Sequence, residues 1–189
     1  AARGTLDAEV VDRLARRLAT FHLEGARGAP GPEDLGARAL AALRGAFGLW
    51  PASEQARLAR WIGEEAELVA PLWHARAGAG HVREGDGDLH LANLLTLDGE
   101  VMAFDAVEFD AALRCIDVIE DIAFTVMDLV ARGVPALAWR LLDGWLQLTG
   151  EYEGVPGLRL CLAYRALVRA LACQLREPHC ADAQRYAER

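Results

Sequence analysis

The stretch Gly87-Asp88-Leu89-His90-Leu91-Ala92-Asn93-Leu94-Leu95-Thr96-Leu97-Asp98-Gly99-Glu100-Val101-Met102-Ala103-Phe104-Asp105 decides how the chain is read. Two short apolar runs, 94–97 and 101–104, flank Asp98-Gly99. That dipeptide tolerates positive φ, and β-prone runs on either side of it predict a hairpin. The polar segment ahead of the hairpin, residues 84–93, reads as a loop, and His81-Val82-Arg83 before it reads as a short strand. Loops held by a regular scaffold are where functional side chains are displayed.

Outward from this centre the chain reads as helices. Asp7 is placed to cap one that runs to about Gly25, with Val10, Val11, Leu14, Leu18, Phe21 and His22 at helical spacing. Gly28-Ala29-Pro30-Gly31-Pro32 is a loop, and Pro32 suits the first turn of a second helix over about 33–48. Pro51-Ala52-Ser53-Glu54 opens a third helix with Ser53 as its cap; Pro71 kinks that helix or ends it at the preceding residue. Downstream, Asp110 or Ala111 starts a helix to about Arg132, Pro135 starts one to about Thr149, and another spans Leu158 to Arg176. The expected fold class is α+β, mainly α, with one domain over 1–189: a helical part at 1–80, the loop and hairpin at 81–109, and a second helical part at 110–189.

Bulk properties narrow the function. Hydrophobic residues make up 53% of the 189 and charged residues 25%, which suits a chain with a packed core. Apolar runs are interrupted well short of the roughly 18 residues a membrane span needs, and the N-terminus lacks a signal-peptide core. The expectation is a cytoplasmic protein without a membrane partner. A net charge of −8 with no basic stripe argues against nucleic acid. Cys115, Cys161, Cys173 and Cys180 form no C-x-x-C pair, so zinc is disfavoured and reduced, packed thiols are expected.

Four polar side chains concentrate on or beside non-helical backbone: Asp88, His90, Asn93 and Asp105. Phosphoryl transfer asks a protein for a carboxylate near the attacking hydroxyl and oxygen ligands for Mg²⁺. Asn93 offers an amide oxygen and Asp105 a carboxylate; Asp88, five positions before Asn93, can be turned toward the same point by one loop.

The string from Gly87 to Leu95, then Asp98-Gly99, then Phe104-Asp105, resembles the aminoglycoside-phosphotransferase family of kinase-like small-molecule kinases. It is especially similar to a bacterial branch in which such a domain precedes a P-loop nucleotide-binding domain. Phe104-Asp105-Ala106-Val107-Glu108-Phe109, Leu113-Arg114-Cys115-Ile116-Asp117-Val118 and Asp121-Ile122-Ala123-Phe124 extend the likeness, with a weaker match at Thr20-Phe21-His22. The resemblance implies the helical C-terminal lobe of a protein-kinase-like fold. It also implies transfer of a phosphoryl group from ATP to a hydroxyl of a small molecule. Asp88 would act as catalytic base, and Asn93 and Asp105 would hold Mg²⁺ and with it the nucleotide. Asp117 and Asp121, i and i+4 on one helix, would support the catalytic loop, Asp121 being the better match. His90 and Glu108 are candidate substrate contacts, although a packing role for His90 is the favoured reading.

Two departures from the family pattern matter. Asp86 stands two before the catalytic position, where the family has His, and adds negative charge beside Asp88. There is also no Gly-rich nucleotide loop with a Lys-bearing strand, and no Lys at all. The nucleotide-clamping N-terminal lobe is therefore expected from a longer protein, and this chain alone is expected to be inactive. The alternative is a non-catalytic kinase-like module that binds or regulates a partner domain. A calcium loop at Asp86-x-Asp88-x-His90 fails, because its sixth and twelfth positions are Leu91 and Leu97.

Overall fold

The computed structural model describes residues 6–29, 34–46, 48–97, 100–104, 106–108, 110–176 and 186. Pro32, the turn Asp98-Gly99, Asp105, Phe109 and Cys180 lie outside the described residues. The chain is mainly α: helices α1 (Ala8–Glu24), α2 (Leu35–Gly45), α3 (Ala52–Ala79), α4 (Ala111–Arg114), α5 (Val118–Ala131), α6 (Pro135–Thr149) and α7 (Leu158–Arg176). Strands β1 (Val82–Glu84), β2 (Leu94–Leu97), β3 (Glu100–Ala103) and β4 (Cys115–Asp117) form two antiparallel pairs.

Local chemistry explains most boundaries. Asp7 caps α1 by accepting the Val10 amide at 2.9 Å, and Asp34 caps α2 through Ala37 at 2.6 Å. Pro135 occupies the first turn of α6, where its missing N–H costs nothing. In α3 two expectations need correction: Ser53 as the cap, and Pro71 as the residue before which the helix ends. Pro51 occupies the cap position without a side-chain bond, and Ser53 lies inside the helix. The helix continues through Pro71 to Ala79. Proline leaves the carbonyl four residues back without its partner, and here both Pro71 and Glu67 are exposed, where water can satisfy it.

A larger correction falls between 110 and 132. The single expected helix is broken into α4, β4 and α5. Cys115-Ile116-Asp117 pairs with β1 in the register Val82↔Asp117, Arg83↔Ile116, Glu84↔Cys115. A three-residue apolar run cannot be told from a helix turn by periodicity alone, and the unpaired backbone of β1 supplies the reason for it to extend. The expected hairpin is present as β2 and β3, with Leu94 opposite Ala103 and Leu97 opposite Glu100.

Helix α5 is the axis of the core. Every one of its residues except Val130 is buried. Helices α6 and α7 pack on it, α1 packs on α6, and α2 packs on α7. Phe124, Ile119, Ile122, Leu129, Leu141, Trp145 and Leu160 are among the large side chains sealed in it. A helix apolar on all sides can carry polar groups only where neighbours satisfy them, and those exceptions build the site. Among the described residues no helix is long and apolar enough to cross a membrane.

Candidate functional site

The loop between β1 and the 3-10 turn Leu91–Asn93 lies over one flank of α5, and α5 holds it by its main chain. Asp121 accepts the Asp86 amide at 2.9 Å on one carboxylate oxygen and the Gly87 amide at 3.0 Å on the other. One turn on, Thr125 donates its hydroxyl to the Leu89 carbonyl at 2.6 Å. Asp128 then accepts the Leu91 amide at 2.9 Å. Residues 121, 125 and 128 follow the helical repeat, so a single stripe of α5 fixes the loop at four successive backbone points.

Such a carboxylate inside the core needs partners, and they come from far away in sequence. Trp145 of α6 donates its indole N–H to Nδ1 of His22 at 3.0 Å, so in the neutral ring the proton sits on Nε2. Nε2 then donates to Asp121 at 3.1 Å. Burial pushes the Asp121 carboxyl up, but His22, the loop amides and Arg165 outweigh it and hold the group below the usual carboxylate range. Arg165 of α7 donates to the Gly87 carbonyl at 3.0 Å and to Glu120 at 3.2 Å, with its guanidinium over the Phe124 ring. Glu120 also takes a bidentate pair from Arg38, both bonds at 2.7 Å.

The two glycines around Asp86 follow from this closeness. A Cβ at Gly85 would sit 2.5 Å from the Asp121 carboxylate. Gly87 has φ of +79° and would bring a Cβ to 2.6 Å from the Leu113 carbonyl. Only glycine lets the loop lie this close to α5 and α4.

The loop so braced brings Asp88 and Asn93 together. Asn93 donates its side-chain amide to the Asp88 carbonyl and to an Asp88 carboxylate oxygen, both at 3.1 Å. The same carboxylate oxygen lies 3.5 Å from Nε2 of His90. The other ring nitrogen of His90 accepts the Ala92 amide at 3.1 Å and caps the 3-10 turn, while the ring meets Phe124 edge-on. His90 is buried. Asp88 is 36% exposed and opens onto a cleft of about 710 Å³ lined also by Glu108, Leu113, Tyr164 and Arg165. Asp105 is outside the described residues, so its place beside Asn93 stays an expectation.

Asp86 does not face the cleft. It is buried and accepts the Asp88 amide at 3.1 Å. The crowding of carboxylates is felt by Asp86 itself: burial first, then Asp121 and Asp88, push its carboxyl up to about 6.

Asp117 requires a correction. The sequence reading placed it with Asp121 under the catalytic loop; its side chain faces the other way. It accepts two bonds from Arg76 of α3, at 2.8 and 2.9 Å, and the Ile119 amide at 2.9 Å. Arg76 continues to Glu151 at 2.7 Å, and Glu151 to His81 at 2.9 Å. The reason is backbone conformation. Asp117 is the extended N-cap of α5, not its first helical residue, so the i,i+4 alignment with Asp121 does not hold. Sequence reading also passed over Thr125, Asp128 and Arg165 as supports. Asp121, Thr125 and Asp128 do carry a legible signal, polar residues at helical spacing in an otherwise apolar run. Arg165 carries none.

Among the described residues no group of three or more His, Cys, Asp or Glu is placed to hold a metal ion. No family model matches the chain, and no solved structure matches it. The chain is similar to uncharacterized proteins of Mycobacterium bovis and of two strains of Mycobacterium tuberculosis. Each is 34% identical over 114 residues, which is 60% of this chain and 23% of the relative. The matched part thus spans less than a quarter of the length of these relatives.

Proposed function

We propose that the chain is the C-terminal lobe of a small-molecule kinase of the aminoglycoside-phosphotransferase type. The observation that carries this reading is the contact of Asn93 with the Asp88 carboxylate on a loop clamped through its main chain, at the mouth of a cleft. Phosphoryl transfer depends on positioning and charge more than on covalent chemistry, and a loop fixed at several backbone points supplies positioning.

Oxygen-bearing side chains such as those of Asn93 and Asp105 are the ligands a hard cation takes. Asp88 engages the nitrogen of the Asn93 carboxamide, which leaves the oxygen as the branch able to face Mg²⁺. Asn93 and Asp105 would hold the ion, and Mg²⁺ bound with ATP would neutralise the charge on the phosphates. Asp88, exposed at the cleft, takes the proton of the acceptor hydroxyl. A bond then forms from that oxygen to the γ-phosphorus, the bond from phosphorus to the bridging oxygen breaks, and ADP leaves. Arg165 and Asp121 act on Asp88 indirectly, by holding Gly87 from both sides of its peptide chain.

The test is calorimetric titration of ATP with and without Mg²⁺ into the longer protein that carries this chain, beside its Asn93→Ala variant. Saturable binding that needs Mg²⁺ and weakens at least tenfold in the variant is expected. Absence of binding favours the second reading, a non-catalytic kinase-like module. The observation on that side is Asp86, an acidic residue buried against the base where the family has His.

A further inference from the structure

Asp128 is fully buried, and its carboxylate is the last of the three α5 groups that hold the loop. A carboxylate in that setting persists only if its oxygens are satisfied. One oxygen takes the Leu91 amide. The other takes Arg132 at 3.2 Å and, at 2.6 Å, the phenol of Tyr186. Tyr186 is itself buried, and the guanidinium of Arg169 lies 5.6 Å from its ring centroid. Short O–H···O⁻ bonds are the stronger kind, and this one is made in a site closed to water.

We infer that Tyr186 is a positioning residue, a latch that acts through Asp128 on the turn carrying Asn93. The chain of contact is continuous. The Tyr186 hydroxyl fixes the Asp128 carboxylate, Asp128 fixes the Leu91 amide, and Leu91 opens the 3-10 turn that ends at Asn93. The hydroxyl keeps the carboxylate's second oxygen from turning to seek another donor. Without it that oxygen keeps only the longer bond from Arg132, and the first oxygen is held less firmly toward Leu91. Residue 186 is separated from 128 by 58 positions and from the loop by more, so Tyr186 links a distant position of the chain to the turn that ends at Asn93. The functional meaning of the latch rests on the reading of Asn93 as a cation ligand; the latch itself does not.

Tyr186→Phe removes the hydroxyl and keeps the ring. Amide hydrogen exchange followed by NMR is expected to show Leu91 exchanging about tenfold faster in this variant, with Ile122 and Leu141 in the core unchanged within about twofold. In an Asp128→Ala background, where neither acceptor remains, the Tyr186→Phe change should no longer alter Leu91, because the link is already cut. Unchanged exchange at Leu91 in Tyr186→Phe overturns the inference. So does uniform acceleration at Leu91, Ile122 and Leu141, which would make Tyr186 a general packing residue. If Leu91 responds while the longer protein ignores Mg²⁺ and ATP, the latch stands and the kinase reading alone falls.

Discussion

Asp117 and Asp121 are four residues apart, both buried, at the start of the same helix, yet they do different work. Asp117 meets a side chain. Its bidentate pair with Arg76 ties α3 to β4, and Arg76 carries the tie on to Glu151. Asp121 meets the main chain, receiving the amides of Asp86 and Gly87 with His22 behind it. A side-chain pair joins elements and tolerates small shifts of either backbone. A carboxylate bonded to two successive amides dictates the orientation of a peptide, and the next residue along is Asp88. The first network is a strut; the second sets the geometry of a loop.

The sharpest way to break this contrast is to remove each network separately. Arg76→Ala leaves Asp117 buried without its cation and should cost about 3–5 kcal/mol, read from urea unfolding. Hydrogen exchange at Asp86 and Gly87 should stay as it was once that lower stability is allowed for. Selective loss of protection at those two amides would show that the strut also shapes the loop.

Asp121→Asn is the complementary cut. One oxygen remains to accept an amide, and the expected loss is smaller, about 2 kcal/mol. Here exchange at Asp86 and Gly87 should rise beyond the global change. His22→Gln keeps a donor near Asp121 and should lose less than His22→Ala, by about 1 kcal/mol in thermal unfolding. Equal losses in the two His22 variants would mean that the ring matters for packing and not for its N–H.

The smallest effect concerns Asp86, which lies between loop and helix. Its carboxyl titrates at about 6 in the folded chain, above the unfolded value. The protonated form is therefore favoured by folding, and its contribution is full below the unfolded pKa. Stability from this group falls as pH rises from about 4 through 6. Asp86→Asn keeps an oxygen for the Asp88 amide and removes the ionisation. It should be more stable by about 1 kcal/mol at pH 7, with a flatter profile across that window. Parallel unfolding profiles for the two proteins from pH 4 to 7 would contradict the assignment.

Much of this was legible in the chain because it depends on local spacing. The Asp7 cap, the hairpin runs and the nearness of Asp88 to Asn93 each follow from residues within a few positions of one another. β4 was not legible, because Cys115-Ile116-Asp117 is extended by its pairing with β1, a partner more than thirty positions away. The same is true of the clamp. His22 reaches Asp121 across 99 positions and Trp145 reaches His22 across 123; Thr20-Phe21-His22 stood out as a weak likeness, but no local signal pairs it with Asp121 or Trp145. Pro71 shows the converse case: the helix runs on past it, at exposed positions 67 and 71 where water can satisfy the carbonyl it orphans.

The central proposal is that Asn93 and Asp105 hold a divalent cation and its nucleotide beside the base Asp88. Paramagnetic Mn²⁺ with ATP, titrated into the longer protein, tests it directly by NMR. The account predicts selective broadening of the Asn93 and Asp105 signals, reversed by excess Mg²⁺, with Asp117 and Glu151 untouched. Broadening confined to other acidic residues, or none at saturating nucleotide, would contradict it.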